Sequence, residues 1–139
     1  MLEPGKIQPR PTALSEPYWQ GCEQGELRMQ FCTACQRYQF YPRAFCSACG
    51  ASTLAWRALS GRGRIASFTV VRRAVSSAYE APYIVALIDV EEGPRLMSHI
   101  VGIPAEDPRL CVGAAVAVEF QNWSHAVVMP VFRLSEAAA

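Results

Sequence analysis

Beyond residue 60 the apolar positions fall into short runs separated by polar gaps marked with Gly and Pro, a pattern that predicts strands. Arg64 to Val75, rich in Val, Ile, Phe and Thr, predicts a long first strand. Tyr83 to Val90 and Arg95 to Val101 predict the next two, joined by the hairpin turn Glu91-Glu92-Gly93-Pro94. Ile103 to Leu110 carries two prolines and two acids and fits only a loop or a short helix. In Ala114 to Gln121, Val116, Val118 and Phe120 share one parity while Ala117 and Glu119 take the other. Ala126 to Leu134 predicts a fifth strand, in which Pro130 points to an edge or a bulge. Five short strands with a connector between the third and fourth fit an OB-fold Greek-key barrel, with a β-sandwich fragment as the alternative.

The first 60 residues follow another pattern. Pro4, Pro9 and Pro11 predict an extended arm. Ser15-Glu16-Pro17 then reads as a helix start, with Ser15 able to cap, and the helix runs through Tyr18, Trp19 and Cys22 to about Gly25. Leu27 to Phe31 and Tyr38 to Tyr41 predict a strand and its return, broken by Pro42. Ala51 to Leu59 follows with Trp56 as its apolar anchor, and Ser60-Gly61-Arg62-Gly63 reads as a turn. The expected organisation is an arm and helix over 1–26, a metal module over 27–60, a barrel domain over 61–135 and a frayed tail over 136–139. The fold class is mainly β.

Between the strands of the metal module lie Cys32, Cys35, Cys46 and Cys49, two C-x-x-C pairs ten residues apart. Each turn aims two thiolates at one point, and two facing turns make the tetrahedral four-sulfur shell of a closed structural zinc site. Two disulfides or a redox-active pair are the alternatives, and iron in the same shell is another. No apolar run reaches membrane-spanning length, and Met1-Leu2-Glu3-Pro4-Gly5 has no signal-peptide layout. The expectation is therefore a cytoplasmic chain whose thiols stay reduced, which favours the metal. Cys22 and Cys111 are left over and read as small apolar residues.

Net charge is only +1, but it is unevenly placed. From Leu27 to Tyr79 there is no Asp or Glu, while Arg28, Arg37, Arg43, Arg57, Arg62, Arg64, Arg72 and Arg73 all fall there. The acids follow from Glu80 onward, and Lys6 is the only lysine. Arginine suits planar contact with phosphate or carboxylate, so the metal-bearing half is expected to attract an anion; a solubilising basic face is the bland alternative. Arg62, Arg64 and Arg72 share strand parity and would line one face if no bulge intervenes.

Catalytic motifs are missing. No nucleophile elbow, phosphate loop, dinucleotide fingerprint or zinc-protease helix is present. His99 sits at strand parity with Met97 and Val101, where a satisfied histidine is the default, and His125 falls in the loop after Trp123. The chain reads as a binder. One alternative is a single-stranded nucleic-acid module, with Phe40, Tyr41, Phe45, Phe68 and Tyr79 stacking bases; the acidic second half argues against an extended polyanion. Another is a free-standing enzyme, a hydrolase or an acyl-transfer catalyst, using His99 or Cys111.

The order Tyr18-Trp19, Gly25-Glu26-Leu27, C-x-x-C, Tyr41-Pro42-Arg43, C-x-x-C-Gly, Trp56, Ser60-Gly61-Arg62-Gly63, Ser67-Phe68-Thr69-Val70-Val71, Ala81-Pro82-Tyr83 and Gly113 resembles one family. It is that of acyl-CoA-associated proteins with a rubredoxin-like zinc ribbon and an OB-fold domain, long catalogued as a domain of unknown function. The match runs from about Ser15 to Phe132, with Gln36 standing where the family often has Gly. The resemblance implies a non-catalytic accessory subunit forming a hetero-oligomer with a thiolase-fold condensing enzyme, acyltransferase or aldolase. It implies structural zinc on Cys32, Cys35, Cys46 and Cys49, an interface around Tyr18 and Trp19, and acyl-CoA as a ligand. Charge segregation adds Arg62, Arg64, Arg72 and Arg73 as candidates for the CoA phosphates.

Overall fold

The computed structural model describes residues 5–123 and 127–135. His125, the predicted strand start at Ala126 and the tail from 136 lie outside the described residues. Helix α1 spans Glu16–Glu23. Ser15 precedes it without capping it: its hydroxyl is engaged by the Thr12 N–H at 2.9 Å, closing a small turn before the helix. Three strands follow, β1 (Arg28–Cys32), β2 (Tyr38–Gln39) and β3 (Leu54–Ala58), in an antiparallel sheet ordered β2-β1-β3.

The second unit is a closed barrel of β4 (Arg62–Val71), β5 (Tyr83–Val90), β6 (Arg95–Val101), β7 (Ala115–Asn122) and β8 (Val128–Leu134). Its order is β4-β5-β6-β8-β7, with β7 returning to pair with β4 through Arg62↔Ala117 and Arg64↔Ala115. This is the OB-type Greek-key barrel that the strand pattern predicts. In β5 burial alternates without a break, sending Ile84, Ala86, Ile88 and Val90 inward. They meet Ile65, Leu96, Ile100, Val116 and Phe132 in a core that extends without interruption to Leu27, Met29, Tyr18 and Cys22 outside the barrel.

One strand, β4, differs from its predicted form, and the alternatives left open at residues 103–110 and at Pro130 are decided. β4 starts at Arg62 because β7 pairs there and closes the barrel, and it ends at Val71, opposite Tyr83. The next residue on β5's side is Pro82, which has no N–H to continue the ladder. A bulge between Ile65 and Ser67 also reverses the parity of β4, so Arg62 and Arg64 point outward before it, and Ser67 and Thr69 after it. Residues 103–110 contain no helix; the turns Asp107 N–H to Pro104 O and Leu110 N–H to Asp107 O bring Leu110 into the core. Pro130 lies inside the closed barrel, yet on a half-edge. β6 and β8 pair in parallel only at Ile100↔Phe132 and Val101↔Arg133, so at Pro130 no ladder donor is needed on that side, and its carbonyl accepts from Ser98 Oγ at 3.0 Å.

Candidate metal centre and groove

The metal module is built from two matching turns. Cys32 ends β1, and the turn after it closes with the Gln36 N–H on Cys32 O at 2.7 Å; the second closes with Gly50 N–H on Cys46 O at 2.9 Å. Gln36 and Gly50 hold equivalent places after the second cysteine of each turn, and both are left-handed, with φ of 61° and 77°. Glycine meets that requirement without strain, whereas glutamine carries a steric cost there.

These turns bring the four sulfurs within 4.8 Å of one another, with Cys32 to Cys49 and Cys35 to Cys46 both at 3.6 Å. A tetrahedron with metal–sulfur bonds of about 2.3 Å has sulfur–sulfur edges of about 3.8 Å, so the donor set fits a thiolate-bound divalent ion. The turns also tune the thiols. N–H groups of Cys35 and Ala34 pull the Cys32 thiol down to about 6, and those of Cys49 and Ala48 lower Cys46 likewise. Cys35 is pushed up to about 12, by burial and by sharing protons with its sulfur neighbours. Four sulfurs this close carry full negative charge together only around a cation.

Two glutamines that the sequence reading passed over lock the second turn to the first. Buried Gln30 takes the Arg43 N–H on Oε1 at 2.8 Å and donates Nε2 to Arg43 O at 2.9 Å. Buried Gln39 donates to Gln30 Oε1 at 2.7 Å and accepts the Ser47 N–H at 2.8 Å. A polar residue at a buried strand position was the available signal, though nothing in the sequence named its partners.

The candidate arginines do not form one cluster. Arg62 pairs with Glu91 at 3.2 Å and Arg64 donates to Gly113 O at 2.9 Å, and both border a cleft that also holds Asp89. Arg72 lies past the other end of β4, about 30 Å along the strand direction, where it pairs with Glu106 at 3.3 Å. The bulge and the end of β4 undo the shared parity expected of Arg62, Arg64 and Arg72. Acids from the second half thus fold back onto the basic first half. Arg73 has no ion-pair partner among the described residues.

Tyr18 is not on the surface: it is 6% exposed, packed against Trp19 and Phe40 where α1 meets β1 and β8. Burial pushes its phenol pKa up. Trp19 is half-buried and borders an apolar groove of about 500 Å³. One wall comprises Trp19, Phe40, Tyr41 and Pro42; the other is the outer face of β5 and β6, where Tyr83, Val85, Met97 and His99 replace the polar residues usual on a solvated face. Met97 and Tyr41 remain 65% and 64% exposed, so the patch is an open apolar surface. His99 stacks on Tyr83 at 5.4 Å, and burial, then the nearby Lys6 charge, lowers its pKa. Cys111 is exposed in the loop before β7.

Two family models match end to end: the ChsH2 rubredoxin-like zinc ribbon domain over residues 19–55 and the ChsH2 C-terminal OB-fold domain over 56–121. The chain belongs to the ChsH2 family. Among relatives, the ChsH2-type chain is 29% identical over 133 residues to a probable enoyl-CoA hydratase alpha subunit of Thermomonospora curvata, covering 94% of this chain and 41% of that one. It is 33% identical to a DUF35 domain-containing scaffold protein of Methanocaldococcus jannaschii, covering 66% of this chain and 64% of that protein. It thus spans between 41% and 64% of the length of these two relatives. Among solved structures, a chain of the Ltp2-ChsH2(DUF35) aldolase superposes with a TM-score of 0.83 at 28% identity, covering 91% of this chain and 98% of that one. A DUF35-family protein from Sulfolobus solfataricus, at 16% identity and a TM-score of 0.62, shares the fold. Among the described residues no helix is long and apolar enough to cross a membrane.

Proposed function

We propose that the chain is a non-catalytic accessory subunit that docks on a thiolase-fold condensing enzyme, acyltransferase or aldolase and contributes to its acyl-CoA site. The observation that carries this reading is the end-to-end likeness to a chain of the Ltp2-ChsH2(DUF35) aldolase, supported by relatives named as scaffold proteins. Cys32, Cys35, Cys46 and Cys49 hold a structural zinc. Four thiolates leave it no open position, so its contribution is folding free energy and a rigid docking surface.

The groove is the place for the acyl portion, since its walls are aromatic and aliphatic and open to solvent. Arg72 and Arg73 are the candidates for the CoA phosphates, because the segment that follows them reaches the groove at Val75 and Tyr79. Arg62 and Arg64 face a separate cleft shared with Asp89 and Glu91, a poorer anion site. Trp19 and Tyr41 on the groove's rim supply the partner contact. His99 faces aromatic rings, Tyr83 and Trp123, which supports binding over proton transfer.

The test is co-expression with a thiolase-fold protein of the same organism. A stable hetero-oligomer with acyl-CoA turnover only in the mixture is expected, and Arg72→Ala with Arg73→Ala should weaken CoA binding by the complex about tenfold. Turnover by the purified chain alone would overturn the non-catalytic reading.

A further inference from the structure

The protein's own N-terminal arm reaches two of the rings that line the groove. Residues 5–12 have no regular secondary structure, yet Lys6, Gln8 and Pro9 are half-buried while Gly5, Ile7 and Arg10 face solvent. The Lys6 ammonium stands 4.7 Å from the centre of the Trp123 ring and 5.8 Å from that of Tyr79. Those rings meet at 75°, forming a corner. Tyr83 lies 5.7 Å from Tyr79 and carries His99 stacked on it, and His99 returns to Trp123 at 6.2 Å, which closes a box of four rings. All four line the groove.

Among the described residues no carboxylate lies within ion-pair distance of Lys6. A half-buried ammonium without a counter-charge needs another source of attraction, and the faces of Trp and Tyr provide it. The arm is otherwise loosely held. Among the described residues its side-chain hydrogen bonds are local, Gln8 Nε2 to Lys6 O at 2.9 Å and Thr12 Oγ1 with Ser15 at 3.1 Å where the arm enters the helix, and Gln8 Oε1 and Trp123 Nε1 are buried without partners. The cation–π contact is thus the principal fastening.

We propose that this box is a binding site for an alkylammonium group, filled by the chain's only lysine, and that the arm is a releasable latch on the groove. A ligand lying on the faces of Tyr79 and Trp123 takes the place of the ammonium, so occupation of the groove and docking of the arm exclude each other. That second statement rests on the groove being the acyl site; the first does not.

Lys6 being the sole lysine makes the test direct. Reductive ¹³C-methylation keeps its charge and yields one lysine dimethyl resonance, distinct from that of the N-terminal amine. Ring currents in the box should move it upfield, and Trp123→Leu or Tyr79→Leu should return it to the position of free dimethyl-lysine. A lysine-specific endoprotease, which has a single target bond, should cut the unmethylated variants about tenfold faster than the wild type. A wild-type resonance at the free position, with equal cleavage rates in all three proteins, would overturn the latch. Dodecanoyl-CoA, its binding followed by calorimetry, should shift the wild-type resonance to the free position. Binding without that shift removes the exclusion between arm and ligand. No binding, with the resonance still upfield, leaves the ammonium box standing and counts against the acyl reading of the groove.

Discussion

Gln30 and Gln39 do for the metal centre what the cysteines cannot do for themselves. The second pair of thiols sits on a segment with no strand of its own, from Phe40 to Thr53, and its backbone must be held at a fixed distance from β1. Gln30 answers both polar groups of Arg43, and Gln39 answers the Ser47 N–H one residue beyond Cys46. Leucine at position 30 would fill the space but remove both hydrogen bonds to Arg43 and the acceptor of the buried Gln39 amide. Gln30→Leu is expected to destabilise the protein by about 2 kcal/mol in urea titrations. It should also speed zinc loss to a chromophoric chelator several-fold. An unchanged rate of metal release would mean that the glutamines matter to packing alone. The same scale explains Gln36: its left-handed backbone is imposed by the turn, which needs the N–H of that residue on Cys32 O whatever the side chain.

At the level of elements, the zinc ribbon and the barrel depend on different forces. The ribbon has one two-residue strand and two five-residue strands, too little sheet to stand unaided, so the ion must supply the difference. The barrel buries alternating residues of five strands and closes on itself. Chelation at neutral pH should therefore abolish amide-exchange protection over β1 and β3 while β5 keeps most of its own; equal loss in both would show that the ion supports the whole chain. How far each element could be read from the sequence follows from the same physics. β5 and β6 are found at their predicted bounds because a run of apolar, strand-favouring residues and the Glu91-Glu92-Gly93-Pro94 turn are local signals. The bulge at Ala66 has no such signal, since it answers the curvature needed to reach β7, and it overturns the grouping of Arg62 and Arg64 with Arg72. The cysteines announced their site by spacing. The groove did not, because Lys6, Tyr41, Tyr79, His99 and Trp123 come from five separate parts of the chain, and only tertiary packing brings them together.

For the molecule as a whole, α1 is the joint. It lies on β1 of the ribbon and β8 of the barrel, and Tyr18 fills the seam, so that one core runs through both units. Tyr18→Ala removes a buried aromatic side chain at that seam and is expected to cost about 3–4 kcal/mol. Its distinguishing effect should be cooperativity: one thermal transition in the wild type, two in the variant. A single transition merely shifted downward would place the coupling elsewhere, in the direct contact of Leu27 and Met29 with the barrel. A last consequence follows from the barrel's strand order. β8 comes after β7 in the chain but sits between β6 and β7 in space. During synthesis the β4–β6 meander and β7 emerge first, leaving open the two edges that β8 fills in the finished barrel, one of them at just two residue pairs. The nascent protein is therefore most exposed to misassociation in the interval before β8 leaves the ribosome, when any free strand nearby can take its place.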